Sequence, residues 1–434
     1  MTARWAFRAS ILHCIADPGE TGDKAAIEYF DDGLLLIRDG HVEQAGPAER
    51  LLPGLSPDIP VSDCREKLIV PGLIDCHVHY PQIDMVASCG AQLLDWLERY
   101  AYPAERRFAN ADHATEVAEF FTDALLQNGT TTALVFATVH AQSADAIFAA
   151  AERRNMRLIA GKVLMDRNCP EDLRDEPGGG LKESEQLIKR WHGRGRLEYA
   201  ITPRFAVTSS AAQLQAAGKL AGAHPDVFVH THLAENAAEI DMVKRLFPHG
   251  RSYLGVYDDF GLLRERSVFA HCLHIDDGDR ESMHRKGASI AFCPGSNLFL
   301  GSGLFDLRAA CEHGVRVGIG SDVGGGPNLN LLKTLSDAYK VLQLNGQSLP
   351  GYRALYLATL GAARALYLDD RIGNFASGKE ADFIMLDPAP VPMARRRVSR
   401  TQNVAEKFFA LMMLGDDRAI SATYLMGKQA WKAA

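Results

Sequence analysis

Much is missing from this 434-residue chain, and each absence closes off a class of function. No stretch approaches 18 uninterrupted apolar residues, so nothing reads as a bilayer-spanning helix. The opening MTARWAFRASILHC has no apolar core long enough for a secretory signal, which points to the cytoplasm. Net charge is only −7 and comes without long runs of one sign. Neither nucleic acid nor a membrane surface is therefore an expected partner. The eight cysteines (Cys14, Cys64, Cys76, Cys89, Cys169, Cys272, Cys293 and Cys311) include no C-x-x-C pair. In a chain of this length they read as reduced, mostly buried thiols.

Several catalytic signatures are missing too. There is no H-E-x-x-H, G-x-S-x-G or G-x-G-x-x-G. The run from Gly373 to Lys379 mimics a phosphate-binding loop, but Glu380 stands where Ser or Thr is required. That run reads instead as a turn before a strand. His41-Val42-Glu43 gives an H-x-E, yet the P-C-x-x-C that would complete a zinc-binding H-x-E…P-C-x-x-C signature does not follow.

What is present has two textures. At 47% hydrophobic, the chain can bury a large core. Near the N-terminus, AAIEYF, GLLLIRD and HVEQAG are separated by Asp32-Gly33 and Asp39-Gly40, both hairpin signals. Similar short strands return in residues 378–387 and 422–431. They predict a small β-sandwich domain assembled from both chain ends, residues 1–69 with 376–434. Between them, over 70–375, apolar runs alternate with helical stretches: LIVPGLIDCHVH, TTTALVFAT, RLIAGKVLMD, LEYAITPRF, VFVHTHLAE, SVFAHC, ASIAFCP and RVGIGSD. The average step is about 35 residues, the size of a βα unit. The runs do not alternate polar with apolar, as suits parallel strands buried on both faces. An α/β fold follows, a (β/α)8 barrel, with a doubly wound sheet as the alternative. Gly178-Gly179-Gly180 reads as a flexible loop or lid. Gly324-Gly325-Gly326 lets the backbone pass close to whatever fills the barrel mouth.

Chemistry gathers at the strand ends. His77 and His79 are two apart on one strand and point to the same side, so both can hold one ion. The fifth strand ends in His230-Thr231-His232 with Glu235 beyond it, the sixth in His271 and the eighth in Asp322. Any one of these could be a satisfied core group or a helix cap. Together they mark a metal site at the end of the barrel where such enzymes build their sites. His230 and His232 share a strand face, so spacing leaves open which of them ligates. Imidazoles with one carboxylate suit zinc, with iron or manganese as alternatives.

The motifs PGLIDCHVH, strand-ending His232 and His271, GSD at 320–322 and GKEADFIMLD resemble the amidohydrolase superfamily. Within it, residues 81–105, TPRF (202–205), HLAEN (232–236), FCPGSN (292–297) and GSDVGGG (320–326) resemble the branch that deaminates guanine, over nearly the whole chain. The resemblance implies one zinc held by His77, His79, His232 and Asp322, with His271 beside the water that the ion activates. It also implies that Glu235 relays protons and that the protein is a homodimer; the mechanism expected on that basis has water attack C2 of the base with Asp322 taking its proton. Binuclear members carry a bridging lysine on the fourth strand, whereas Lys162 lies on the third here. Gly295 departs from the asparagine common in related deaminases, which leaves the contacts of that loop open.

Substrate choice is expected to rest on Gln82, Arg204 and Phe205, beside His232, Glu235 and Asp322. A guanidinium donates only and wants a carbonyl such as guanine O6, where adenine would leave its donors unpaired. Phe205 can stack on a flat ring. Two rivals are a sister enzyme acting on 8-oxoguanine or a triazine, and a metal-free barrel serving in protein interaction.

Overall fold

The computed structural model describes residues 3–90, 92–176 and 178–433. The chain opens with β1 (Arg4–Cys14), β2 (Ile27–Arg38), β3 (His41–Pro47) and β4 (Val61–Pro71). It then winds through β5 (Leu73–His79), β6 (Thr130–Phe136), β7 (Arg157–Gly161), β8 (Val163–Leu164), β9 (Leu197–Pro203), β10 (Phe228–Leu233), β11 (Ser267–His271), β12 (Ser289–Phe292) and β13 (Arg316–Ile319). It closes with β14 (Phe383–Leu386), β15 (Ile420–Leu425) and β16 (Lys428–Lys432). Eight parallel strands (β5, β6, β7, β9, β10, β11, β12 and β13) neighbour one another in chain order, and the two-residue β8 adds to β9. β13 comes back to β5: the Asp322 N–H donates to the His77 carbonyl at 2.8 Å, and Ser321 N–H donates to the Asp75 carboxylate at 3.0 Å. The result is a nearly closed (β/α)8 barrel. Every residue of β5, β6 and β7 is buried, which explains why these runs do not alternate.

The remaining strands form one seven-stranded mixed sheet from both chain ends, in the order β16-β15-β14-β4-β1-β2-β3. Phe7, Ile11, Ile69, Phe383 and Tyr424 pack on its inner face, the last two with stacked rings 4.4 Å apart. The run LIVPGLIDCHVH serves both units, because it divides at Gly72 between β4 in the sheet and β5 in the barrel. A side chain at Gly72 would meet Thr131 Oγ1 at 2.1 Å, so only glycine lets the chain pass there.

Of the two expected hairpins, one forms. Asp39 and Gly40 both have positive φ (50° and 83°), and Arg38 pairs with His41 across this two-residue turn. Asp32-Gly33 makes no turn: it lies inside β2, whose twelve residues run along nearly all of β1. Gly33 serves cross-strand packing instead, since a Cβ there would sit 2.7 Å from Ile11 Cδ1. The glycine triplet 178–180 is not a free loop either. Gly178 (φ 72°) caps the helix Gly179–Trp191, and Gly180 leaves room for the Asp175 carboxylate.

One local feature helps to carry the site and another braces the far end of the barrel. Asn236 caps the helix Ala237–Leu246 in a capping box with Glu239, which fixes the backbone just after β10 where Glu235 sits. At the opposite end of the barrel, Glu380 accepts from Arg157 Nε and Arg196 Nε, both at 3.1 Å, and Asp382 pairs with Arg196. These acidic residues of GKEAD tie the sheet to the barrel. Glu43 of the H-x-E pairs with Arg4 and Arg38 near the surface. All eight cysteines are free; five are buried and Cys89 is exposed. Among the described residues no helix is long and apolar enough to cross a membrane.

Candidate metal and substrate site

At the C-terminal mouth of the barrel the structure brings together His77 and His79 of β5, His232 of β10 and Asp322 beyond β13. One donor atom from each lies within 4.8 Å of the others. His79 Nε2 is 3.2 Å from His77 Nε2 and 3.2 Å from His232 Nε2. Asp322 Oδ1 is 3.1 Å from His77 Nε2 and 3.4 Å from His79 Nε2. These separations of 3.1–3.4 Å bring the donors close enough to share one small cation such as zinc.

The donor chemistry fits a cation as well. His232 Nδ1 is 2.7 Å from the Arg204 carbonyl, which needs a proton on that nitrogen and leaves Nε2 a bare lone pair. Burial holds His77, His79, His230 and His232 well below the usual imidazole range, helped by their neighbouring imidazoles, so all four stay neutral. With the protons of His77 and His79 on Nδ1 as well, three lone pairs would face one another at 3.2 Å, an arrangement that a cation between them stabilises. His230 is not in this group. Its Nε2 meets His77 Nδ1 at 2.7 Å, behind the donor cluster, which separates the two histidines that spacing alone left open.

Beside the cluster stand His271 and Glu235. His271 Nε2 is 3.4 Å from Glu235 Oε2 and 3.7 Å from Asp322 Oδ2, while its Nδ1 is held by Asn297 Oδ1 at 2.8 Å. Burial opposes a charge on His271, but the carboxylates of Glu235 and Asp322 outweigh it and raise its pKa. Burial pushes the Glu235 carboxyl up to about 7, against the pull of His271. Asp75 within β5 is also pushed up to about 7 by burial, although Ser321 and the His77 N–H bond to it. Three site residues sit on left-handed backbone: Ala234 (φ 49°), His271 (φ 70°) and Asp322 (φ 49°). Such torsions persist only where surrounding structure enforces them. Cys293 is close to His271 and Asp322, but burial lifts its thiol well above the usual range.

A cleft opens over these groups. Leu93, Trp96, Leu97, Phe205 and Leu300 give it apolar walls, and Gln82, Arg204 and Glu235 place polar atoms on it. Gln82, Arg204 and Phe205 are thus all at one site, as their motifs imply. Gly324 passes so close that a Cβ would fall 1.9 Å from Gln82 Oε1, which accounts for the first glycine of the triplet.

Two residues with evident roles carry no strong signal in the sequence. Asn297, in the short helix Pro294–Phe299 after β12, aligns His271 from two positions after Gly295. Glu105, in the short helix Tyr102–Arg106, accepts from Arg204 Nη1 with both oxygens at 2.8 Å and from Gln82 Nε2 at 3.0 Å. Its only signal is membership of the 81–105 stretch, for nothing in spacing joins it to Arg204.

Comparison with known proteins agrees with this geometry. The profile of the amidohydrolase family matches residues 68–430. Guanine deaminase of Escherichia coli is 50% identical over 418 residues, covering 96% of this chain and 95% of its own. A solved structure of E. coli guanine deaminase superposes with a TM-score of 0.97 at 49% identity, covering 99% of this chain and 100% of that one. Guanine deaminase from C. acetobutylicum, solved with guanine in its active site, superposes with a TM-score of 0.89 at 27% identity, over 98% and 99% of the two chains. By profile, by identity and by fold, the chain belongs to the amidohydrolase family.

Proposed function

We propose that the chain is a single-zinc deaminase that converts guanine to xanthine and ammonia, with His77, His79, His232 and Asp322 as the metal ligands. The observation that carries this reading is the four-donor cluster opening onto a cleft where Arg204, Gln82 and Phe205 meet. Three imidazoles and one carboxylate suit zinc, and iron(II) has the same ligand tastes. Such an ion, when bound, supplies Lewis acidity that brings a bound water's pKa to about 7.

The chain's own residues divide the remaining work. Asp322 turns Oδ1 toward the donor cluster and Oδ2 toward His271, so its second oxygen is placed to take a proton from water. His271, steered by Asn297 and favoured as a cation by its two carboxylate neighbours, offsets negative charge developing on the attacked carbon's oxygen. Glu235, whose buried carboxyl keeps its proton to about pH 7, gives that proton to a ring nitrogen and takes one back from the added hydroxyl as the carbonyl forms, while the proton held by Asp322 passes to the amino nitrogen, which leaves as ammonia. Arg204 donates to the base carbonyl, and Phe205 packs against the flat ring. Adenine, with an amine in that place, leaves the guanidinium unpaired and is rejected. A cytoplasmic homodimer, with residues 1–69 and 376–434 as the small domain and 70–375 as the catalytic barrel, completes the proposal.

The test is direct. Purified enzyme should consume guanine with matched release of xanthine and ammonia, lose that activity on chelation and regain it with zinc. Turnover of 8-oxoguanine or a triazine without turnover of guanine would overturn the substrate assignment. Activity untouched by complete metal removal would overturn the metal site.

A further inference from the structure

Glu105 lies behind the wall of the base pocket, with 1% of its surface exposed, and backs the lining residue Arg204, which is 2% exposed. Both carboxylate oxygens bind the single nitrogen Nη1. Among the described residues, Arg204 Nη2 and Nε donate to no protein acceptor, so those donors are left for a ligand. Gln82 spends its amide nitrogen on Glu105 as well, which turns Oε1 into the free end of that side chain. The Tyr102 ring lies under the guanidinium at 5.5 Å. One carboxylate therefore holds both polar arms of the pocket and cancels the charge of the positive one.

That cancellation has a chemical consequence. A bare buried guanidinium attracts anions strongly, because little water screens it. Replacing a ring amine by a carbonyl leaves an N–H flanked by two carbonyls, so the product is a stronger acid than the substrate. An uncompensated Arg204 would hold such a product as its anion. We propose that Glu105 is a positioning residue that makes the pocket electrically neutral at Arg204, so that it selects neutral bases and lets an ionised product go. The inference rests on the assignment of this cleft to the base.

The experiment uses full-length, zinc-loaded enzyme and two competitive ligands of similar shape, hypoxanthine (neutral at about pH 7.5) and urate (an anion at that pH). In Glu105→Gln, hypoxanthine inhibition and the KM for guanine should weaken. Urate inhibition should tighten, and the urate-to-hypoxanthine affinity ratio should rise at least about tenfold. A merely structural role would weaken both ligands by one factor, and that result overturns the proposal. Glu105→Asp keeps the charge and should leave the ratio at its wild-type value. The double variant Glu105→Gln with Arg204→Gln removes both charges and should also show the wild-type ratio, so it tests the idea even where the single variant fails to fold. A rise in urate preference in the double variant would refute it. Should wild-type enzyme fail to turn over guanine, the functional reading falls, while the two-ligand ratio still judges Glu105.

Discussion

His230→Phe isolates how the metal cluster is held from behind. His77 turns Nε2 toward His79 and Asp322, so as a ligand it carries its proton on Nδ1 and donates it to His230 Nε2 at 2.7 Å. Phenylalanine keeps a flat ring of similar size but removes the acceptor. The new ring has a ready neighbour in Phe136, whose centroid lies 4.4 Å from that of His230. Nothing is lost at His230 Nδ1, which has no hydrogen-bond partner among the described residues. His77 then faces two unfavourable options. Keeping the Nδ1 proton leaves a buried donor unpaired, at about 1–3 kcal/mol. Moving the proton to Nε2 relieves that cost but blocks the lone pair that meets the ion. Both options weaken metal binding, and outer partners of ligating histidines are generally worth about 10–100-fold in affinity, or roughly 1.4–2.7 kcal/mol. The assay is metal retained per chain after equilibration with graded chelator, with the melting temperature of the metal-free protein as a folding control. The midpoint should move to about 10–100-fold lower chelator while the metal-free protein melts near the wild-type temperature. A folded variant with the wild-type midpoint would refute the tautomer argument.

Two further predictions test separate parts of the structure. Glu235→Gln should lower kcat about 10²–10⁴-fold at unchanged metal content. Because the Glu235 carboxyl is raised to about 7, the protonated acid is present below that pH and lost above it. Wild-type kcat should therefore decline as pH rises through about 7, and a pH–rate profile without that alkaline limb would remove Glu235 as the acid. Lys162→Met should destabilise the fold by about 3–5 kcal/mol in urea titrations, since it strands the buried Asp175 carboxylate that Lys162 Nζ meets at 2.5 Å. Lys162→Met with Asp175→Leu should recover most of the loss; equal instability in both would show that the pair anchors nothing.

Rules that act over a few residues are legible in the chain itself. Period-two spacing places His77 and His79 on one face, and the recurrence of buried apolar runs indicates a barrel whose strand ends carry imidazoles and carboxylates. Asp39-Gly40 announces a hairpin and forms one. Asp32-Gly33 announces another and does not, because β1 is long enough to pair with the residues on both sides of it. In a sheet, the partner strand rather than the dipeptide decides where a chain turns. The same limit applies at the site. His230 and His232 are equivalent in spacing, and only barrel closure puts one behind His77 and the other beside His79.

Glu105 and Arg204 are 99 positions apart, and no periodicity connects a residue of a short helix with one at the end of a strand. The positive φ at His271 and Asp322 is likewise invisible in the sequence, since neither residue type demands it. Backbone propensity and side-chain alternation act over a few residues, so sequence alone determined which segments become strands and which faces they bury. Where remote segments meet depends on how the strands close and how the buried charges find partners. That was decided only when all eight strands packed together.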